Sequence, residues 1–321
     1  SGCWEILLLP RMPPQTWTPQ PTSRQTSSWH KTMAGALTEE QAQEQVEVVL
    51  ELAVALHLFQ IPLILFVLLI SHYAGGASEF MQVVTWELEP EYWQVALPSI
   101  VGNAMANLLF VRALQLSDLS LTIPYLSLTP VLSLFSGWAV VGETPGMMGI
   151  VGVVIIGIGA LTLNPQAAGE SGFHPIRALR SERGCLAMLG VACLWSISVA
   201  FDKRALMHGS PISHSAVLAV SGASILELFR RRASGEDLFP RLKPVMLLLG
   251  ITTAVVSAAM LTQLWAYHYV PVAYVEAVKR SLGMVGAVVV GWWFFQEGSV
   301  RRRLVAVVVM AVGVSFILVG G

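Results

Sequence analysis

Charged residues are scarce in this 321-residue chain, at 12% of all residues against 55% hydrophobic ones. Soluble domains usually carry about 25% charged residues, so the composition excludes an ordinary soluble fold. It predicts an integral, multi-pass membrane protein whose surroundings are the lipid bilayer. The net charge of −1 leaves no basic surface large enough to bind nucleic acid. The three cysteines match neither a disulfide spacing nor a paired CxxC metal motif, so no metal or cofactor is predicted.

Catalytic motifs are also missing. The chain has no HExxH and no GxSxG, and the carboxylates within its apolar segments are not paired with each other. This disfavours an intramembrane enzyme, and we predict that the protein is not one.

The first 37 or so residues are rich in Pro, Gln, Ser and Thr and show no helical or strand period, which predicts disorder. Thr38 and Gln41 then form a capping-box pattern that predicts a helix start. The helix turns apolar from about Val49. No cleavable signal peptide is expected before it.

Nine apolar segments predict nine membrane-spanning helices, because each is long enough to cross a hydrocarbon core of about 30 Å. They lie at 49–71, 94–114, 119–140, 146–164, 184–204, 213–230, 244–267, 272–296 and 302–320. A charged, Gly- and Pro-containing stretch separates them into two groups. We therefore divide the chain into a polar segment (1–48), a first repeat (49–165), a linker (166–183) and a second repeat (184–321).

The eighth apolar segment carries three charges, Glu276, Lys279 and Arg280. A cation near the bilayer centre costs roughly 2.5–3.5 kcal/mol, so such residues normally face a protein interior or a wet cavity. Glu276 stands one helical turn before both cations and cannot neutralise both. The second anion is either a substrate or a carboxylate of a neighbouring helix, Asp202 or Glu227. Alternatively, Lys279 reaches the membrane interface along its flexible stem.

Polar and aromatic residues in other apolar segments are further candidates for a cavity. Asn103 and Asn107 share one helix face, and their amides must meet either another helix or water. The aromatic candidates also have a simple packing alternative. With the three charged residues, the candidate substrate-binding set is Asn103, Asn107, Tyr125, Trp195, Gln263, Tyr274, Glu276, Lys279 and Arg280.

The two halves share a weak internal repeat. One constant shift aligns Gly137, Trp138 and Glu143 with Gly291, Trp292 and Glu297. In transporters, inverted repeats place the substrate site near the membrane midplane between the halves.

The segments IPYLSLTPVLSLFSGWAVVGETPGMMGIVGVVIIGIGALTLN and AYVEAVKRSLGMVGAVVVGWWFFQE resemble the two halves of EamA-type members of the drug/metabolite transporter superfamily. LWSISVAFDKRAL resembles the first helix of the second repeat. The resemblance implies an all-α membrane protein with two inverted repeats of five transmembrane helices around a central cavity, worked by alternating access. The chain has TEEQAQEQVE where the first helix of repeat one belongs, so about nine spanning helices are expected and that helix is expected to be missing.

The Lys279 and Arg280 pair is also similar to the Lys/Arg pair with which phosphorylated-sugar translocators of this superfamily hold an anion. We therefore predict a transporter of a small metabolite, with an organic anion as one option for this small-molecule substrate. The alternative is a non-transporting scaffold or a truncated isoform, and a homo-oligomer is left open. Most Lys and Arg residues of the connections fall on one side, which predicts a cytoplasmic N-terminus and an external C-terminus.

Overall fold

The computed structural model describes residues 39–73, 90–116, 122–162, 183–233, 243, 246–295 and 300–320. The segment expected to be disordered, up to residue 38, and most of the expected linker lie outside these ranges. Within them the chain forms nine helical segments and no strand, which confirms the expected all-α class.

The first repeat contributes four of these segments and the second repeat five. They are α1 (Glu39–Tyr73), α2 (Pro90–Leu116), α3 (123–141), α4 (Met147–Thr162), α5 (Arg183–Ala205), α6 (Pro211–Ala233), α7 (Met246–Ala266), α8 (Val272–Phe295) and α9 (Val300–Gly320).

Five helices in the described ranges are long and apolar enough to cross a membrane, namely α1, α2, α5, α6 and α7. The apolar parts of α3, α4 and α9 are shorter. Helix α1 begins at Glu39, directly after the predicted cap, so its polar opening turns and its apolar span form one helix of 35 residues.

Segment α3 was expected to be one regular helix and instead combines three kinds of turn. It runs as a 3₁₀ helix over Ile123–Leu128, an α-helix over Thr129–Ser136 and a π-helix over Gly137–Val141. Pro124 and Pro130 favour these breaks, because a proline nitrogen cannot donate a hydrogen bond to the preceding turn. The segment ends at Gly142, whose φ of 81° suits only a residue without a side chain.

The main helix pairs join the two halves of the chain. The most extensive contacts are between α2 and α5, between α4 and α9, and between α1 and α6. In the α4–α9 pair the backbones meet closely, since a Cβ on Gly152 would lie 2.5 Å from the carbonyl oxygen of Gly313. Small residues of this kind let membrane helices approach each other. Each half therefore completes the core of the other.

The outer surface is apolar, as contact with lipid requires. Phe66, Trp138 and Leu247 are among its large exposed side chains. Helix α7 is the least covered of the five long apolar helices. Its described contacts are mainly with α1 and α6.

Candidate functional site

The charged turn of α8 begins just after a helix start that the other half of the chain caps. The first amide of α8, that of Val272, donates hydrogen bonds of 3.2 and 3.0 Å to the two carboxylate oxygens of Glu143. Helix N-termini carry unpaired N–H groups and partial positive charge, so a carboxylate stabilises them. Lys203 at the end of α5 adds an ion pair of 2.6 Å to the same carboxylate. The position of α8 is thus set by α5 and by the loop after α3.

Glu276 lies at the centre of a hydrogen-bonded group between α7 and α8. Its side chain is 2% exposed, and Lys279 Nζ lies 2.5 Å from its Oε1. The hydroxyl of Tyr267 donates to the same oxygen at 3.1 Å and accepts from Gln263 Nε2 at 2.6 Å. Gln263 Oε1 accepts from Lys279 Nζ at 3.0 Å. These four residues form a closed ring, which we call the α7–α8 ring.

Three members of the ring were sequence candidates: Gln263, Glu276 and Lys279. Tyr267 was not. Its spacing of four residues from Gln263 places both on one face of the chain at the end of α7, and this spacing could have indicated it. The Lys279 side chain is 45% exposed, so the ring has one buried end and one open end.

Arg280 makes no hydrogen bond to Glu276, although Glu276 acts on it electrostatically. Its Nε is buried and has no hydrogen-bond partner within the described residues. A buried donor without an acceptor costs free energy, and more so when it belongs to a charged group. Among the described residues, Arg280 therefore keeps one buried donor, its Nε, without an acceptor.

The two carboxylates that could have supplied this anion are both used elsewhere. Glu227 accepts hydrogen bonds of 2.7 and 2.9 Å from Arg230 and one of 2.6 Å from Arg231, all within α6. Asp202 bonds to His214 at 3.0 Å and to Ser99. Neither pairs with Arg280.

The two asparagines line a separate small cavity between α1, α2 and α6. Its polar lining consists of His57, Asn103, Asn107 and Ser221. Asn103 Oδ1 accepts a hydrogen bond of 3.2 Å from Trp195 Nε1, and Asn107 Nδ2 donates to the Asn103 carbonyl at 2.9 Å. Asn103 thus meets both of the expected surroundings, a neighbouring helix and a cavity.

The remaining two candidates lie in packed apolar clusters. Tyr125 packs in the cluster between α2, α3 and α5. Tyr274 packs in the cluster between α4, α8 and α9, with its hydroxyl against Gly149. Their part in substrate binding stays a prediction.

A second buried polar group, which the sequence did not predict, joins α2, α5 and α6. Asp202 Oδ1 accepts from Ser99 Oγ and lies 3.0 Å from His214 Nε2, while His214 Nδ1 lies 2.8 Å from the hydroxyl of Tyr92. These residues are up to 122 positions apart in sequence, so no local pattern indicates the group. No cluster of three or more His, Cys, Asp or Glu side chains suited to a metal occurs within the described ranges.

Comparisons with known proteins agree with this architecture. The sequence model of the EamA-like transporter family matches residues 43–164 and again 182–319. No curated protein matches the chain. A solved structure titled only "Crystal structure of protein" has 17% sequence identity and a TM-score of 0.64, over 84% of this chain and 87% of that one. At this identity the likeness shows the fold alone.

Proposed function

Because this chain belongs to the EamA-like transporter family, and so is a membrane transporter of the drug/metabolite type, we propose that its substrate is a small organic anion bound by Arg280. The family is one of transporters and not of enzymes. The observation that supports an anion is the buried Nε of Arg280, which has no acceptor in the described part of the chain.

Guanidinium chemistry fits this role. Arg presents planar donors that match the two oxygens of a carboxylate or phosphate. Lys279 lies beside Arg280 in sequence and is held by Glu276 and Gln263, with nearly half of its side chain exposed. An arriving anion would pair with this partly exposed cation and would accept a hydrogen bond from Arg280. Glu276 holds Lys279 in this orientation while the site is empty.

The transport mechanism that suits the fold is alternating access. The two inverted repeats contact each other along α2–α5, α4–α9 and α1–α6. A rocking motion of one repeat against the other would open the interior to one side at a time. Helix α8 contacts both α4 and α9. An anion bound on α8 would therefore act on the α4–α9 interface between the repeats.

The test is uptake of radiolabelled inorganic phosphate, succinate and glucose 6-phosphate by the full-length protein in proteoliposomes. We expect saturable uptake of at least one of these anions, and its loss in both Arg280→Gln and Lys279→Gln while the variants insert and accumulate normally. Arg231→Gln is the matched control, because Arg231 is 73% exposed and pairs with Glu227 in its own helix.

Two results would contradict the proposal. One is normal uptake by both variants. The other is failure of both variants to accumulate, with accumulation restored when Glu276→Gln is added, since the charges would then be a packing ion pair. Uptake of none of the anions by the wild type would exclude these substrates.

The uncovered face of α7 favours a second candidate, a protein that binds its ligand without moving it. By the internal repeat α7 corresponds to α2, and α2 is covered by α5 whereas α7 has no equally close partner among the described helices. Equilibrium binding of a probe anion with no flux in proteoliposomes would favour this second candidate.

A further inference from the structure

The group formed by Tyr92, Ser99, Asp202 and His214 is almost fully shielded, with exposed fractions of 0%, 0%, 4% and 0%. None of its four residues belongs to the α7–α8 ring or lines the asparagine cavity. Apolar residues of α2, α5 and α6 surround it, among them Ala96, Ile100 and Val217.

The hydrogen bonds limit where the protons can lie. If Asp202 is a carboxylate it only accepts, and the hydrogen between Asp202 and His214 then lies on His214 Nε2. At the other ring nitrogen, Nδ1, the Tyr92 hydroxyl lies 2.8 Å away and can either donate or accept. His214 can therefore be neutral, accepting from Tyr92, or protonated, donating to Tyr92. The observed distances fit either state.

The charge of the group differs between these states. With a neutral imidazole it holds one buried negative charge, on Asp202. With a protonated imidazole it is a neutral ion pair. A lone charge in an apolar interior costs more free energy than a paired one. A positive charge beside Asp202 would therefore stabilise the group.

Among the described residues, the neighbouring cations are engaged elsewhere and do not supply that charge. Lys203 follows Asp202 in the chain but pairs with Glu143 at 2.6 Å, and Arg204 donates to the Val140 carbonyl at 2.5 Å. From the side of α7 and α8, Asp202 is faced by Tyr267, which also interacts with the acidic Glu276. On α2 the titratable neighbour is Tyr92, which is neutral.

We propose that His214 and Asp202 form a proton-binding site that couples a proton gradient to transport. The coupling rests on the proposed function, whereas the proton site itself does not. The group ties Tyr92 and Ser99 of the first repeat to Asp202 and His214 of the second, so gain or loss of the proton changes a contact between the halves. Ser99 also stands one turn before Asn103, which places the site next to the asparagine cavity.

The proton site is tested by nuclear magnetic resonance on the full-length protein in detergent micelles, with ¹³C-labelled histidine. The chain has seven histidines, and the signal missing from His214→Gln is that of His214. We expect this signal to shift with pH as the His214 imidazole gains and loses its proton. In Asp202→Asn the transition should move to lower pH, because the attraction of the carboxylate is lost.

Tyr92→Phe provides a second variant should Asp202→Asn fail to fold, since it removes only the Nδ1 partner and should alter the same transition. His57→Gln is the control, and should leave it unchanged. A His214 signal that is constant from about pH 4 to 10 in the wild type would show a purely structural hydrogen bond and would overturn the proposal.

Coupling is tested in proteoliposomes, with phosphate and succinate as probes. One coupled proton should give about tenfold accumulation per unit of pH gradient, since a tenfold ratio corresponds to 1.4 kcal/mol. His214→Gln should lose this accumulation but keep anion exchange, which needs no net proton movement. Exchange without any response to the gradient in the wild type would refute coupling alone. If neither phosphate nor succinate is accumulated or exchanged, the proposal of anion transport is wrong. The proton site is then tested by the magnetic resonance experiment alone.

Discussion

Lys203 Nζ lies 2.6 Å from Glu143 Oε1 and also donates to the Val270 carbonyl at 2.9 Å. Glu143 also caps the first turn of α8. One carboxylate of the first repeat therefore contacts both α5 and α8 of the second. Both side chains are mostly shielded, at 16% and 9% exposed, so the pair is worth more than a surface ion pair.

We expect Glu143→Ala to destabilise the protein by about 0.5–2 kcal/mol, the usual cost of losing a helix cap. Lys203→Met should cost less, because the cap of α8 remains. Thermal unfolding of both variants and of the double variant in detergent measures the coupling. A double variant whose loss equals the sum of the single losses would show that the two residues act independently.

Gly137→Ala should remove the same cap by a steric route. A Cβ at this position would lie 2.5 Å from Glu143 Oε2, so the carboxylate has to shift from the position in which it accepts from the Val272 amide. The unfolding temperature should fall, and it should fall no further when Gly137→Ala is combined with Glu143→Ala. Gly250→Ala in α7 is the control, since a Cβ there meets nothing within 4 Å. An equal effect of both glycine variants would contradict the steric explanation.

Tyr267→Phe should weaken the α7–α8 ring without breaking its ion pair. Gln263 Nε2 loses its acceptor and Glu276 loses one donor, at a cost of about 0.5–1.5 kcal/mol per hydrogen bond. Anion uptake should be reduced but not abolished, in contrast to Arg280→Gln. Tyr269→Phe serves as control because Tyr269 is 78% exposed in the same turn. If uptake by Tyr267→Phe equals that of the wild type, the ring does not position Lys279.

We also predict a cytoplasmic N-terminus and an external C-terminus, because positive residues are retained on the cytoplasmic side. The end of α6 carries Arg230, Arg231 and Arg232, and the start of α9, on the same side, carries Arg301, Arg302 and Arg303. Lys203 and Arg204 end α5 on the opposite side. Tags at each terminus, probed with an impermeant reagent on intact cells, test this. A C-terminal tag protected until the cells are permeabilised would refute the predicted orientation.

Local patterns in the sequence predicted the local features of the molecule. The lengths of the apolar runs predicted the nine helical segments. The spacing of residues along α8 predicted that Lys279 contacts Glu276, and the two lie 2.5 Å apart. The break of α3 into three kinds of turn was missed, because the apolar run continues through Pro124 and Pro130.

Contacts between helices that are distant in the sequence could not be predicted from it. His214 meets Tyr92 across 122 residues, and nothing in either local pattern selects the other. The same limit applies to Asp202, which was considered as a partner for Arg280 but bonds to His214 and Ser99 instead. Asn103 and Trp195 were both candidates, yet only the packing of α2 on α5 brings them within 3.2 Å.

The pairing of helices between halves also has a consequence for synthesis. Helix α1 has its closest partner in α6, which the ribosome completes roughly 160 residues later, about 8–32 s at 5–20 residues per second. During that interval the His57 side chain of α1 cannot yet pack against Gly222 of α6. The cellular machinery that inserts this protein therefore has to shelter a half-made chain from lipid and from degradation until its second half arrives.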